Sequence, residues 1–221
     1  MDTMRTNRTM TETRQRLLEA AGEVFAERGF RAATVREICH RAKANLAAIN
    51  YHFGDKERLY TAVLQYTLRY ARQKYFHPTL GLGAEATAEE RLRAFIHSFL
   101  LRLLDEGLPA WHGKLMVREM AEPTQALDVL VEEVIRPDAE LLMSIVRELL
   151  GRDADSRRVL RCAESIVGQC LFYEHCRPVI MRLDPDQTFT PQALEQLADH
   201  ITRFSLAALR QFAQEQQGEV R

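Results

Sequence analysis

Apolar positions in this chain recur at helical spacing, and no alternating stretch is long enough to read as a strand. Residues 11 to 29 place Leu17, Ala20, Ala21, Val24 and Phe25 on one side of a helix that stops at Gly29. A short second helix starts at the N-cap Thr34, with Val35, Ile38, Cys39 and Ala42 on its apolar side, and a third starts at the N-cap Asn45, with Ile49 and Phe53 inward. The two caps leave a very short turn, where Ala44 is small enough to let the helices approach. Leu46, Ala47, Asn50 and Tyr51 fall on the other side of the third helix. Gly54 breaks that helix, and Asp55 starts a long fourth one carrying Leu59, Val63, Tyr66 and Tyr70.

Further along, Gly81 and Gly83 mark a loop, followed by a helix over about 88–106. Pro109 and Pro123 bracket a short helix from Trp111 to Met120. Pro137 and Pro178 sit inside helical patterns, so each predicts a kink or boundary at the preceding residue. Two amphipathic stretches, about 156–183 and 191–214, are separated by Asp184-Pro185-Asp186. The expectation is an all-α protein of two domains. A three-helix helix-turn-helix domain occupies residues 1–56, ordered from about residue 11, and a helical ligand-binding and dimerisation domain occupies 57–221.

Charge sharpens this division. The net charge of −1 conceals +3 over residues 1–56 and −4 over the rest, with Arg5, Arg8, Arg14, Arg16, Arg36, Arg41, Lys43 and Lys56 in the basic part. No apolar run approaches the roughly 20 residues of a membrane span, and the start lacks a signal-peptide segment, so a cytoplasmic protein with no membrane partner is expected. Cys39, Cys162, Cys170 and Cys176 form no CxxC pair and read as free thiols or small buried hydrophobes.

Candidate chemistry is thin. Glu37-x-x-His40 has the spacing of a di-iron ligand pair, but a di-iron bundle needs a second copy and the chain has none. Cys170 diverges from His175 by roughly 140° around a helix and from Cys176 by roughly 120°, too far to share an ion without other partners. There is no Gly-rich phosphate loop, nucleophile elbow or triad. Neither enzyme activity, metal nor cofactor is expected.

Thr34 to Lys56 therefore read as a helix-turn-helix whose second helix enters the major groove. The run AINYHFGDKERLY, preceded by TRQRLLEAAGEVFAERGFRAATVREI, resembles the amino-terminal domain of the tetracycline-repressor (TetR) family of bacterial regulators over residues 11 to about 60. Gly29-Phe30 closes the first helix, Thr34 precedes the second, and Tyr51-His52-Phe53 closes the third. Lys43 stands where the family usually has Gly, and Asn50 where a second aromatic is common. RPDAELLMSIVRELLG, LPAWHGKLMVREMAEPT and SIVGQCLFYEHCRPVIMRL resemble the carboxy-terminal domain of the CecR/CerR-type branch, over roughly 85–185.

The resemblance implies a ligand-responsive transcriptional regulator: a homodimeric repressor released from a palindromic double-stranded operator by a small-molecule effector. The alternatives are an activator, an effector-independent DNA-binding protein or, further off, a helical enzyme or scaffold. DNA contacts are expected from Thr34, Arg36, Lys43, Asn45, Leu46, Ala47, Asn50, Tyr51, His52 and Lys56. His112, Met116 and Met120 recur every four residues beside Trp111, which is either a core stripe or, by position in the resembling family, an effector surface, with Phe172, Tyr173 and His175 as further candidates. Dimer contacts are expected from Ile166, Val167, Leu171, Phe204 and Leu209 on the last two long helices.

Overall fold

Thr34 and Asn45 cap their helices as the sequence predicts. In the computed structural model the Thr34 hydroxyl accepts from the Glu37 amide at 3.2 Å and the Asn45 side-chain Oδ1 from the Ala48 amide at 2.9 Å. Residues 2–75, 82–83, 85–105, 109 and 111–219 are described, with side chains from 11 to 215; Gly81 and the side chains of Arg5 and Arg8 lie outside this set. Every regular element among the described residues is helical. The order is α1 (Asp2–Ala32), α2 (Val35–Ala42), α3 (Leu46–His52), α4 (Lys56–Tyr75), α5 (Ala88–Leu104), α6 (Trp111–Ala121), α7 (Ala126–Leu130), α8 (Arg136–Leu150), α9 (Ser156–His175), α10 (Arg177–Leu183) and α11 (Pro191–Glu219).

The helices form two compact units, Met1–Tyr70 with Leu108–Val134, and Ala71–Gly107 with Ile135–Arg221. In the first unit, Leu17, Phe25, Ile38, Ile49, Leu59 and Val63 share one core with Leu115, Ala126 and Leu130. That unit thus takes in the start of α4 and all of α6 and α7, which a cut after residue 56 assigns to the second domain. The second unit packs Leu92, Ile96 and Leu100 of α5 against Leu142 and Val146 of α8, Val159 and Ile166 of α9, and Leu194 and Ile201 of α11. Thr87 and Glu90 start α5 with reciprocal side-chain-to-amide bonds.

Two prolines act at boundaries. A π turn, Val131–Ile135, joins α7 to α8 just before Pro137, which sits in the first turn of α8 where no amide is needed. Pro178 divides the expected 156–183 helix into α9 and α10 at Cys176. The four cysteines are free, and Cys39, Cys162 and Cys170 are buried.

α6 approaches α1 unusually closely. A Cβ added at Gly22, in the middle of α1, would lie 2.4 Å from the Trp111 ring. Gly22→Ala should therefore push Trp111 out of its seat and destabilise the first unit by roughly 1–3 kcal/mol, as overpacking does. Trp111 is the single tryptophan, so its emission reports the change directly. A red-shifted emission and a lower unfolding midpoint are expected; unchanged spectra and midpoint would mean that the two helices do not meet there.

Candidate nucleic-acid interface

The helix-turn-helix is built by short-range bonds around a strained residue. Lys43 ends α2 at φ 51°, ψ 46°, the only positive φ of a non-glycine residue among the described residues, and its amide donates to His40 O at 3.2 Å. The left-handed conformation turns the chain within two residues, so that Ala44 packs toward the core and Asn45 can start α3. Side chains prefer to avoid this region by about 1 kcal/mol, which explains why glycine suits the position.

α3 divides cleanly. Ile49 is fully buried, and Phe53 behind it is buried beneath the Arg14 guanidinium, 5.2 Å from the ring centroid. Leu46, Ala47, Asn50 and Tyr51 face outward, Tyr51 with 70% of its surface exposed. His52 is half-buried, edge-on to Tyr51 with centroids 5.0 Å apart. Thr34, Arg36, Lys43 and Asn45 are also exposed, so eight of the ten expected DNA contacts are exposed on the same small motif, and His52 and Lys56 are half-buried. Lys56 differs. Its ammonium donates to Arg31 O at 3.3 Å and lies 4.7 Å over the Phe30 ring, and burial lowers its pKa from the usual lysine value. It closes the end of α1 against the start of α4. Arg41, part of the basic cluster, is held by Glu27 at 2.8 Å and Glu23 at 3.3 Å, so its charge fixes α2 on α1.

Two residues of α6 that the sequence did not single out, Arg118 and Glu119, tie it to this motif. Arg118 donates to the Ala26 and Glu27 carbonyls near the end of α1, at 3.1 and 3.3 Å. The Glu119 carboxyl, with no exposure to solvent, accepts from the Tyr60 hydroxyl at 2.8 Å and from the Thr124 amide and hydroxyl at 2.9 and 3.0 Å. Burial, followed by the Glu119 contact, raises the Tyr60 pKa, so the phenol keeps the proton it donates. Nothing in the helical spacing marked Glu119; Gly22, inside a helix, was the legible signal for close approach.

The structure separates the candidate effector residues. Trp111 and Met116 pack on the core of the first unit, His112 is buried and Met120 is exposed, so the four do not line one surface. His112 meets the edges of Tyr66 and Tyr70, at 6.3 and 5.7 Å between centroids, and neither ring nitrogen has a hydrogen-bond partner. Phe172, Tyr173 and His175 lie on α9 in the second unit, Phe172 and His175 exposed and Tyr173 against that unit's core. Of the expected dimer contacts, Ile166 and Leu209 are committed to the second unit's own core, because they lie on the inward sides of α9 and α11. Val167 and Leu171 are half-buried, and Phe204 is 63% exposed. No group of three potential metal ligands occurs among the described residues.

Comparison with known proteins matches two successive stretches of the chain, the second of which includes α6 and α7 of the first unit. Residues 17–63 match the model of bacterial regulatory proteins of the tetR family, and residues 88–209 match the carboxy-terminal domain of the HTH-type transcriptional dual regulator CecR. The chain is 30% identical over 178 residues to the transcriptional dual regulator CecR of Shigella flexneri, covering 77% of this chain and 79% of that protein. It is 29% identical over 205 residues to the transcriptional repressor NicS of Pseudomonas putida, covering 90% and 91%. Among solved structures, AibR in complex with isovaleryl coenzyme A and operator DNA shares the fold, with a TM-score of 0.63 at 20% identity over 86% of this chain and 96% of that one.

The buried histidine makes the first unit sensitive to acid. Burial lowers the His112 pKa from 6.5 to about 4. The unfolded chain therefore takes up a proton as the pH falls through 6.5, while the folded chain does not until about 4, so stability present above 6.5 is lost across that window. Between pH 7 and pH 5 the loss from this group is about 2 kcal/mol. In urea unfolding followed by Trp111 emission, His112→Phe should show a pH dependence smaller by that amount. Equal pH dependence in the two proteins would mean that His112 titrates normally.

Proposed function

We infer the function of this chain from its family: it belongs to the tetR family of bacterial regulatory proteins, carries a carboxy-terminal domain of the CecR type, and is a DNA-binding transcriptional regulator. Regulators of this family bind operator DNA and act as dimers. For this chain we propose a homodimeric repressor that holds a palindromic operator through two α3 helices and leaves it when a small molecule binds.

One observation carries the DNA reading: α3 buries Ile49 and leaves Leu46, Ala47, Asn50 and Tyr51 uncovered on its opposite face. Asn50 suits bidentate pairing with adenine, and Leu46 and Ala47 suit apolar contact with thymine methyls. Around them, Arg36, Lys43, Tyr51 and the Thr34 and His52 side chains would meet phosphates. Lys56 already gives one of its three N–H groups to Arg31 O and lies over the Phe30 ring, so its share is smaller than that of Lys43. The left-handed Lys43 supports this assignment, since glycine would relieve the strain and lysine supplies a charge.

For the effector, the unpaired His112 supports a seat in the first unit beside Trp111 and Met116. A ligand group that hydrogen-bonds the imidazole recovers an interaction the folded chain leaves unmade, about 1–3 kcal/mol. Only such a preference for one state can shift operator binding. The relatives include both a dual regulator and a repressor; repression is the reading adopted. No helix among the described residues is long and apolar enough to cross a membrane.

Two substitutions test the interface. Lys43→Gly should raise stability by roughly 1 kcal/mol while lowering the magnitude of the salt slope of operator binding by about 1 per reader, one lost phosphate contact each. A slope equal to wild type would remove Lys43 from the interface. Asn50→Ala should change which operator variants bind best, one base pair losing about 1–3 kcal/mol of discrimination; an unaltered ranking of variants would show that Asn50 reads no base.

A further inference from the structure

The most conspicuous unused surface is α10. Four of its seven residues, Val179, Ile180, Met181 and Leu183, are large and apolar, and at about 100° per residue they spread over more than half of the helix circumference. A helix apolar on most sides belongs inside a core. Yet α10 buries none of its residues, and none of the four packs against the core of the second unit. Val179 is 55% and Leu183 82% exposed, and Met181 is exposed as well. The segment is nevertheless anchored at both ends. It follows α9 through the single residue Cys176, and at its far side the chain returns to the core at Phe189, whose ring lies 4.6 Å beneath the Arg177 guanidinium. A helix of two turns is marginal in water by itself, and α9, on which it packs, leaves these apolar side chains uncovered.

α10 packs on α9, and exposed apolar side chains stand on α9 and on α11. On α9, Leu160 and the half-buried Leu171 lie along one outward line, and Gly168 has open space where a Cβ would go. On α11, Phe204, Ala207 and Ala208 are exposed together. Small residues between large ones admit a second helix pair at close range. We propose that α10 is a clasp for a second copy of this chain: in the dimer, Val179, Met181 and Leu183 lie against the partner, extending an interface centred on α9 and α11. This rests on the dimeric reading above and adds to it the element that closes the interface.

The clasp can be removed without touching either core, because all three side chains are exposed in the single chain. In sedimentation velocity over a dilution series, the full chain carrying Val179→Ser, Met181→Ser and Leu183→Ser should dissociate at a concentration at least about tenfold higher than wild type, given the apolar surface lost on both copies. Amide exchange supplies the second readout. In wild type at dimeric concentrations the amides of Ile180 to Leu183 should be protected, and in the monomer produced by Leu171→Arg with Phe204→Arg they should exchange freely. Dissociation of the triple variant at the wild-type concentration, or equal protection in the monomer, would overturn the clasp while leaving the dimer standing. A wild-type chain that is monomeric at micromolar concentration would overturn the dimeric reading and the clasp with it.

Discussion

The first unit depends on the absence of a side chain at Gly22. Because α1 offers no Cβ there, the Trp111 ring can lie flush on its backbone, and α6 reaches a position from which its other side chains find partners. Arg118 then meets the carbonyls at the end of α1, and Glu119 meets Tyr60 on α4 and Thr124 beyond its own helix. A carboxyl without solvent is tolerable only when its oxygens are bonded. Its three donors come from α4 and from the turn after α6, so α4 and α6 are fixed in register by a group that cannot afford to lose them. The glycine sets the distance, and the carboxyl sets the register.

That frame determines what the recognition helix can do. α2 is held on α1 by the Arg41 pairs with Glu23 and Glu27, exposed contacts of small individual worth, and by the buried Ile38, Cys39 and Ala42. α3 is held on its inner side by the buried Ile49 and Phe53, with Ala48 packed beside them. Its outer side is therefore free of intramolecular obligations, as a surface meant for base edges must be. Basic residues divide between two tasks: Arg41 and Lys56 are engaged within the protein, while Arg36 and Lys43 are presented outward.

The sequence made some of this legible and hid the rest, for a physical reason. Caps at Thr34 and Asn45 bond an amide three residues on, and Pro137 and Pro178 act on their own backbone, so both kinds of signal are contained in a few adjacent residues. The helix-turn-helix and its outward residues could be read for that reason. The Glu119–Tyr60 bond spans 59 residues and leaves no local trace. Periodicity also identifies an apolar arc without saying what covers it. Ile166 and Leu209 share their arcs with outward residues, and only packing shows that these two face the chain's own core while Phe204 does not. His112, Met116 and Met120 share a spacing but not an environment, since residues four apart drift by about 40° around a helix and the buried side of α6 runs through His112, Leu115 and Glu119.

α6 folds with the DNA-reading helices as one cooperative unit. Native-state hydrogen exchange in increasing urea tests it most directly. Amides in the middle of α6, such as Leu115, should merge onto the same opening isotherm as Ala21 and Val24 of α1 and Val63 of α4. If the α6 amides instead joined the isotherm of α5, α8 and α11, α6 would belong to the other unit and would not support the DNA-reading helices.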